Sequence, residues 1–346
     1  MKQLIALVAV LTLWAYCSAP LRAETKPLDI YFVDVEGGAG TLIVTPAGES
    51  VLVDAGMPGA RDPGRIAQVA KDVAGLQKIN HCVVTHWDID HVGGVPDLGK
   101  LIPLERCYDH GFSDKPATGV RPQDVAAYRE FVKGQSVALK PGDEIPLQQA
   151  AGLPALRLRV VASDGLVVGE KPGAPQTRPC DKGHVAHADD PSENANSVVL
   201  VLSFGSFRFF DGADLTWNTE HRLVCPENLP GTVDVFQVAH HGLEISNNPA
   251  LVQALHPRVA IMNNGARKGG TVQTFATLKA APGLEAIFQL HRNVRTTDAD
   301  NAPPEFVAND EANCKANFIK LTVDAAGKSY TVTIPGKGTS RTYATR

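Results

Sequence analysis

No stretch of this 346-residue chain is long enough and apolar enough to span a bilayer. The longest apolar run, Leu4 to Ala15, follows Lys2 and leads to the small residue Ala23, the layout of a cleaved export signal. Residues 1–23 are therefore expected to be removed, leaving 24–346 as a periplasmic or secreted protein with no stable membrane span. The chain also lacks an excess of basic charge. Loss of 1–23 takes away Lys2 and Arg22 and no acid, so the formal charge moves from −4 to −6. Phosphate contacts need surplus Lys and Arg, so nucleic acid is not a favoured partner. Cysteine is scarce: Cys82, Cys107, Cys180, Cys225 and Cys314 remain, an odd number. An oxidising compartment permits disulfides without requiring them. Cys82 reads as a small buried hydrophobe in a core strand, and Cys180, in a loop, is the better bridge candidate. There is no short internal repeat and no low-complexity tract.

What is present is ordinary globular composition, 44% hydrophobic and 20% charged. Three short strands open the chain at 28–35, 40–45 and 50–56, divided by Gly and Pro turns. A helix with Ile66, Val69, Ala70 and Val73 on one face follows, then a strand at 79–85, another at 105–111 and a helix near 122–133. The second half repeats the order. Strands at 197–204 and 207–215 lead to a helix near 216–224 and a strand at 233–242. Helices near 248–255 and 271–280 alternate with strands at 258–265 and 285–291. Two strands, FIKLTVD and SYTVTIP, end the chain. Antiparallel strands followed by alternating strands and helices, twice over, predict two packed sheets with helices outside, an α/β sandwich in a single domain. The irregular segment 165–195 reads as a loop insertion.

The chemistry gathers at strand ends. VVTHWDIDHVGG places His86, Asp88, Asp90 and His91 within six residues, after a β-branched run and before a glycine pair. Imidazole and carboxylate are the donors that zinc-type metals take. On an extended chain 86, 88 and 90 share a side, and a turn brings 91 round. Read alone, the stretch also fits a capped helix start, with Asp90 as the cap. Asp54 in VLVDAG, Asp211 and Asp214 in FDGADL, and His240 and His241 in VAHHG lie at the ends of other predicted strands. One face of a sandwich would collect them all.

The order VLVDAG, THWDIDHVGG, DGADL, HHG resembles the metallo-β-lactamase-fold hydrolases, over about residues 28–291. FVDVEGGAGTLIVTPAGESVLVDAG and NANSVVLVLSFGSFRFFDGADL are similar to one branch, which includes the soluble hydrolase domain of ComEC-type DNA-uptake channels. The resemblance implies a four-layer αββα sandwich. It implies that His86 and Asp88 form one pair of metal ligands and Asp90 and His91 another. Asp214 would bridge two metals, and one of His240 and His241 would be the last histidine ligand. Asp54 would orient the site from behind. Two departures stand out. Aspartate occupies position 88, where the family has histidine, and SENANS before the strand at 197 lacks the family's further histidine. Either one ion or two is compatible with this set. His184 or His187 in the long loop would be a replacement ligand or a substrate contact.

The implied chemistry is hydrolysis by a metal-activated water, with Zn2+ as the ion and Mn2+ also compatible. Asp88 or Asp90 would orient the water and take its proton. His110, His184, Asn264, Lys268 and His291 are candidate substrate contacts, and Arg267 and Lys268 form a local basic patch. The branch resemblance favours a phosphoester or related anionic ester as the small-molecule substrate. A β-lactam or lactone hydrolase, or a non-catalytic metal-binding protein, are the alternatives. Oligomeric state is not encoded in any motif.

Overall fold

A computed structural model describes residues 26–113, 118, 120–171 and 185–346. The expected export signal, Cys180 and His184 lie outside the described residues. None of the described helices is long and apolar enough to cross a membrane.

In chain order the first strands are β1 (Leu28–Phe32), β2 (Thr41–Val44), β3 (Ser50–Val53), β4 (Ile79–Val83), β5 (Leu104–Asp109) and β6 (Val137–Ala138). Then come β7 (Glu144–Ile145), β8 (Leu156–Ser163), β9 (Leu166–Val167), β10 (Val199–Phe204), β11 (Phe207–Asp211) and β12 (Val235–Gln237). The last are β13 (Val259–Met262), β14 (Ala286–His291), β15 (Val307–Asn309), β16 (Ile319–Val323), β17 (Ser329–Ile334) and β18 (Thr339–Ala344). They form two sheets, ordered β18-β17-β16-β1-β2-β3-β4-β5-β6 and β15-β14-β13-β12-β11-β10-β8-β7, with β9 paired to β8. The C-terminal hairpins return to the edge of the first sheet, so both ends of the described chain are tied into it.

Strand periodicity explains why the sheets face each other. Leu28, Ile30 and Phe32 of β1 point into one apolar cluster with Leu158, Leu200, Phe209 and Val235 of the second sheet. The alternate residue Tyr31 faces out, into a cluster with Ile66, Leu98 and Tyr128. Those three come from helices α1 (Arg61–Gln68), α3 (Val95–Leu101) and α4 (Pro122–Val132), where α2 (Ile89–Val92) precedes α3. On the far face of the second sheet Phe210, Phe236 and Ala260 meet α5 (Trp217–Val224), α6 (Pro249–Leu255) and α7 (Val272–Lys279). The result is the expected αββα sandwich, and its inner strands are apolar on both faces because both are covered.

Local expectations differ in places. Val73 is 47% exposed, because α1 passes into a π-turn at Val69–Val73 whose extra residue rotates Val73 off the buried stripe. The strand foreseen at 233–242 spans only β12, and residues 239–242 form a tight turn. β8, not foreseen, sits inside the second sheet between β7 and β10. Cys82, Cys107 and Cys314 are free thiols, and Cys225 is disulfide-bonded.

Candidate metal centre

β3 and β4 run parallel in the first sheet, and β11 and β12 run parallel in the second. Their carboxyl ends open to one edge of the sandwich, where open α/β sheets collect functional groups. Asp54 follows β3 with φ +62°. Its carboxylate accepts the Thr85 backbone N–H (2.8 Å) and hydroxyl (2.7 Å) and lies 2.7 Å from His91 Nδ1. That bond fixes the His91 ring and turns its Nε2 inward.

After β4 the chain is extended through His86 and then coils into α2. The helix starts one residue before Asp90, so Asp88, not Asp90, takes the cap position, and its side chain makes no capping bond. Gly94 is required by close approach: a Cβ there would lie 1.9 Å from the Ala55 carbonyl oxygen.

Asp214 follows β11 through Ala213 (φ +44°), and His240 and His241 follow β12, both left-handed. The Asn247 side chain holds this turn, accepting the Ala239 N–H (3.0 Å) and donating to the Ala239 carbonyl (3.0 Å). Asn247 and Asn248 in turn donate their backbone N–H groups to the buried carboxyl of Glu220 on α5 (2.9 and 2.7 Å). Behind β11, Gln237 donates to Asp211 (3.1 Å) and accepts from Thr41 of the opposite sheet (2.9 Å), a polar tie across the apolar core.

The side chains converge on one atom. Asp214 Oδ2 lies 3.2 Å from His91 Nε2, 3.2 Å from His241 Nε2, 3.4 Å from His240 Nε2 and 3.9 Å from His86 Nε2. Asp90 Oδ2 lies 3.3 Å from His241 Nε2 and 3.6 Å from His91 Nε2, and Asp88 Oδ2 lies 3.7 Å from His86 Nε2. Two donors about 2.0 Å from one ion, at the tetrahedral angle, stand roughly 3.3 Å apart. The spacing, the mixed nitrogen and oxygen donors, and the buried His86 Nε2, which has no hydrogen-bond partner, all fit a divalent ion.

Charge follows the same pattern. Burial alone would raise Asp214, but His241, His91 and His240 outweigh it and hold the carboxyl well below its usual range. Asp90 is likewise raised by burial and carried well below by His91, His241 and Lys268. Burial lowers His91, yet Asp214, Asp54 and Asp90 lift it well above the usual histidine range. For His240 burial prevails and brings it down to about 4. Asp211, one strand end back, is pushed up to about 7 by burial.

The candidate substrate contacts separate into two groups. Lys268 is at the centre, its Nζ against Asp90 Oδ2. His110 stands 2.5 Å from Glu193, and both line a cavity of about 400 Å³ with Trp87, Arg129 and Asn196. Asn264 and His291 are not brought to an open face. Both are fully buried. Asn264 donates to the His291 carbonyl (2.7 Å), and His291 Nε2 is 2.7 Å from Asp34, in a group with Cys314 where Arg65 already pairs with Asp34 (3.1 Å). Their backbone and side-chain partners draw them inward, which position at a strand end does not reveal. The His187 ring stacks on Trp217 (4.2 Å between centroids), beside a cavity of about 540 Å³ that also reaches Asn196 and Ile245. Glu220, Asn247, Thr85 and Ser246 were missed by sequence reasoning. The run SNN after HHG is a turn signal that pointed toward Asn247; nothing in the sequence marked Glu220.

An αββα sandwich with mixed His/Asp donors at the strand ends defines a class, and sequence similarity narrows it. Residues 33–147 match the family model described as the metallo-beta-lactamase superfamily. The chain is 26% identical over 193 residues to ComE operon protein 3 of Bacillus subtilis (strain 168), covering 55% of this chain and 20% of that protein. It is 31% identical over 132 residues to a UPF0173 metal-dependent hydrolase of Polynucleobacter asymbioticus, covering 38% of this chain and 45% of that one. Among solved structures it is similar to CmlA, a diiron β-hydroxylase from Streptomyces venezuelae, with TM-score 0.42 and 13% identity over 69% of this chain and 45% of that one. The chain spans about a fifth of the first of these curated relatives and under half of the second. Residues 33–147 thus resemble the metallo-β-lactamase superfamily, and the similarity to ComE operon protein 3 spans 55% of the chain.

Proposed function

We propose that the protein is an exported, metal-dependent hydrolase acting on a phosphoester or related anionic ester, with Zn2+ as its ion. The observation that carries this reading is the convergence of four imidazole nitrogens on Asp214 Oδ2, with Asp90 beside two of them, at the spacing of donors sharing an ion. A divalent ion there supplies Lewis acidity and activates water. The chain does the rest. Asp54 and Thr85 hold His91 in one orientation. Asp88 and Asp90 each carry two carboxylate oxygens; with one turned to the ion, the other is free to take a proton from the attacking water and return it to the leaving group. Both carboxyls are held below their usual range against the pull of burial, Asp88 by His86 and Asp90 chiefly by His91, so both are ionised at neutral pH. Lys268 at the rim brings positive charge to an otherwise acidic chain and would attract an anionic substrate group.

A panel of p-nitrophenyl phosphodiester, phosphomonoester, lactone and cephalosporin substrates tests this, with Zn2+- and Mn2+-loaded and chelated protein. Phosphoester turnover that chelation or Asp214→Ala abolishes is expected. Turnover of the lactone or cephalosporin alone would overturn the substrate class, and no turnover by the metal-loaded protein would overturn the hydrolase reading. Export is checked by fractionating cells that make the full chain; an uncleaved chain confined to the cytoplasm would refute it.

A further inference from the structure

The cavity of about 400 Å³ beside Trp87 lies at the same edge of the sandwich as the metal donors, between α4 and the turns at 164 and 193–196. Its size suits a small organic group. The Trp87 ring, Val120 and Val125 make its apolar side. Trp87 is 5% exposed and is held by three rings: His110 (4.7 Å between centroids), Phe112 (5.0 Å, parallel) and Tyr128 (5.5 Å). The Arg129 guanidinium lies 4.0 Å from the centre of the Phe112 ring, so its charge is spent on that ring. This wall is formed before any ligand arrives, and a ligand loses little affinity in ordering it.

The polar side is built around a buried pair. His110 Nε2 stands 2.5 Å from Glu193 Oε1, and neither side chain is more than 2% exposed. The other Glu193 oxygen accepts the Asn196 amide (3.2 Å), so the carboxylate has a neighbour at each oxygen. His110 Nδ1 has no hydrogen-bond partner among the described residues. With the Nε2 proton directed at Glu193, Nδ1 is the acceptor of the ring. A buried acceptor left unpaired is costly, and such atoms are usually met by water or a ligand. Asp164, whose backbone N–H donates to the Asn196 carbonyl (3.0 Å), brings a second carboxylate to the same cavity. Two carboxylates and an acceptor nitrogen repel an anion and call for a hydrogen-bond donor.

We propose that this cavity is a binding site for an uncharged ring that carries an N–H donor, and that it holds the non-reacting part of the ester. The ring packs between Trp87 and Val125, and its N–H donates to His110 Nδ1. Trp87 stands between His86 and Asp88 in the chain, so the wall of the cavity adjoins the metal donors. Lys268, against Asp90, keeps the anionic group at the metal centre, while the acidic cavity takes the neutral ring. Charge thus sets which end of the substrate goes where. The role as a substrate subsite rests on the hydrolase reading above; the ring site itself does not.

The test compares indole with 1-methylindole, which has nearly the same apolar surface and no N–H, by calorimetry and saturation-transfer NMR on the metal-loaded protein. Indole is expected to bind the wild type roughly tenfold more tightly, the cost of leaving a buried acceptor unpaired. His110→Phe should bind the two alike. Val125→Trp, on a half-buried helix position, fills the cavity without touching the buried pair and should bind neither; it keeps the test open if His110→Phe misfolds. Indole should also raise KM for a p-nitrophenyl phosphodiester and leave kcat unchanged. Equal binding of both probes by the wild type would overturn the donor assignment. No binding, or binding that Val125→Trp retains, would overturn the site and leave the cavity to water. Indole bound in the cavity with KM unmoved would overturn its role as a subsite. If no ester is turned over but indole still binds with the expected preference, the hydrolase reading fails and the ring site stands.

Discussion

Replacing Glu220 with glutamine tests how the histidine turn is held. The Glu220 side chain is fully buried on α5 and accepts the backbone N–H groups of Asn247 and Asn248, the residues that clamp the turn. Burial pushes its carboxyl from 4.5 up to about 8, against the pull of those two bonds. The folded state therefore keeps a proton that the unfolded state releases above pH 4.5. A folded pKa above the unfolded one means stability is fully present below about 4.5 and lost as pH rises to about 8. Each pH unit inside that window costs about 1.4 kcal/mol. From pH 5.5 to 7.5 the wild type should lose about 2 to 3 kcal/mol through this one group.

Glutamine has the same shape and no proton to lose, so Glu220→Gln removes that slope. It also sets an amide N–H against one backbone donor, a pH-independent cost on the order of 1–3 kcal/mol. The prediction is a converging pair of curves: the variant is less stable at pH 5.5 and gains on the wild type by about 2 to 3 kcal/mol by pH 7.5. Urea unfolding of both proteins at the two pH values, with the same metal content, measures it. Other titrating groups cancel in the difference. Parallel curves, with the gap between the proteins constant within about 0.5 kcal/mol, would refute the buried neutral carboxyl.

The other expectations concern groups around the donors. Asp54→Asn keeps the shape but weakens the support of His91, and should lower metal affinity roughly 10- to 100-fold in a chelator competition, with little change in secondary structure. Gly269→Ala places a Cβ 1.9 Å from the His241 carbonyl oxygen at φ +73°, and should destabilise the fold by roughly 3 kcal/mol or more in denaturant unfolding. Lys268→Gln should raise KM for an anionic phosphoester about tenfold and leave a neutral lactone unaffected; an equal change on both would remove Lys268 from charge recognition.

The sequence displays what is local. His86 to His91 lie within six residues, and imidazole and carboxylate at that density are rare outside metal sites, so half of the centre is visible before any fold is known. The sandwich is visible for a similar reason, since buried strands advertise themselves as β-branched runs. β8 carried a readable signal that passed unnoticed: Leu156, Leu158 and Val160 are buried, and Arg157 and Arg159 alternate with them, the period of two that marks a half-covered strand. Glu220, Gln237 and Thr41 were not legible, because a buried polar group is defined by partners far along the chain. Thr41 and Gln237 are 196 residues apart. The inward placement of Asn264 and His291 has the same origin. A strand end can open outward or turn in, and only the bonds to His291 O and Asp34 decide which.

The left-handed residues tie these parts together. Asp54, Ala213, His240 and His241 are non-glycine residues with positive φ, and each follows one of the parallel strands β3, β11 or β12. Regular strands would carry their side chains past the sandwich edge on alternating sides. A left-handed residue just past the strand breaks that alternation and turns the chain back over the edge. Two of the four, His240 and His241, point donors at Asp214. Ala213 turns the chain into Asp214, and Asp54 grips His91 from behind. Glycine would adopt each conformation at less cost, but at three of the four positions it would delete the group the turn exists to aim. Strain at these four positions therefore serves the donors, and the two apolar sheets supply the stability that maintains it.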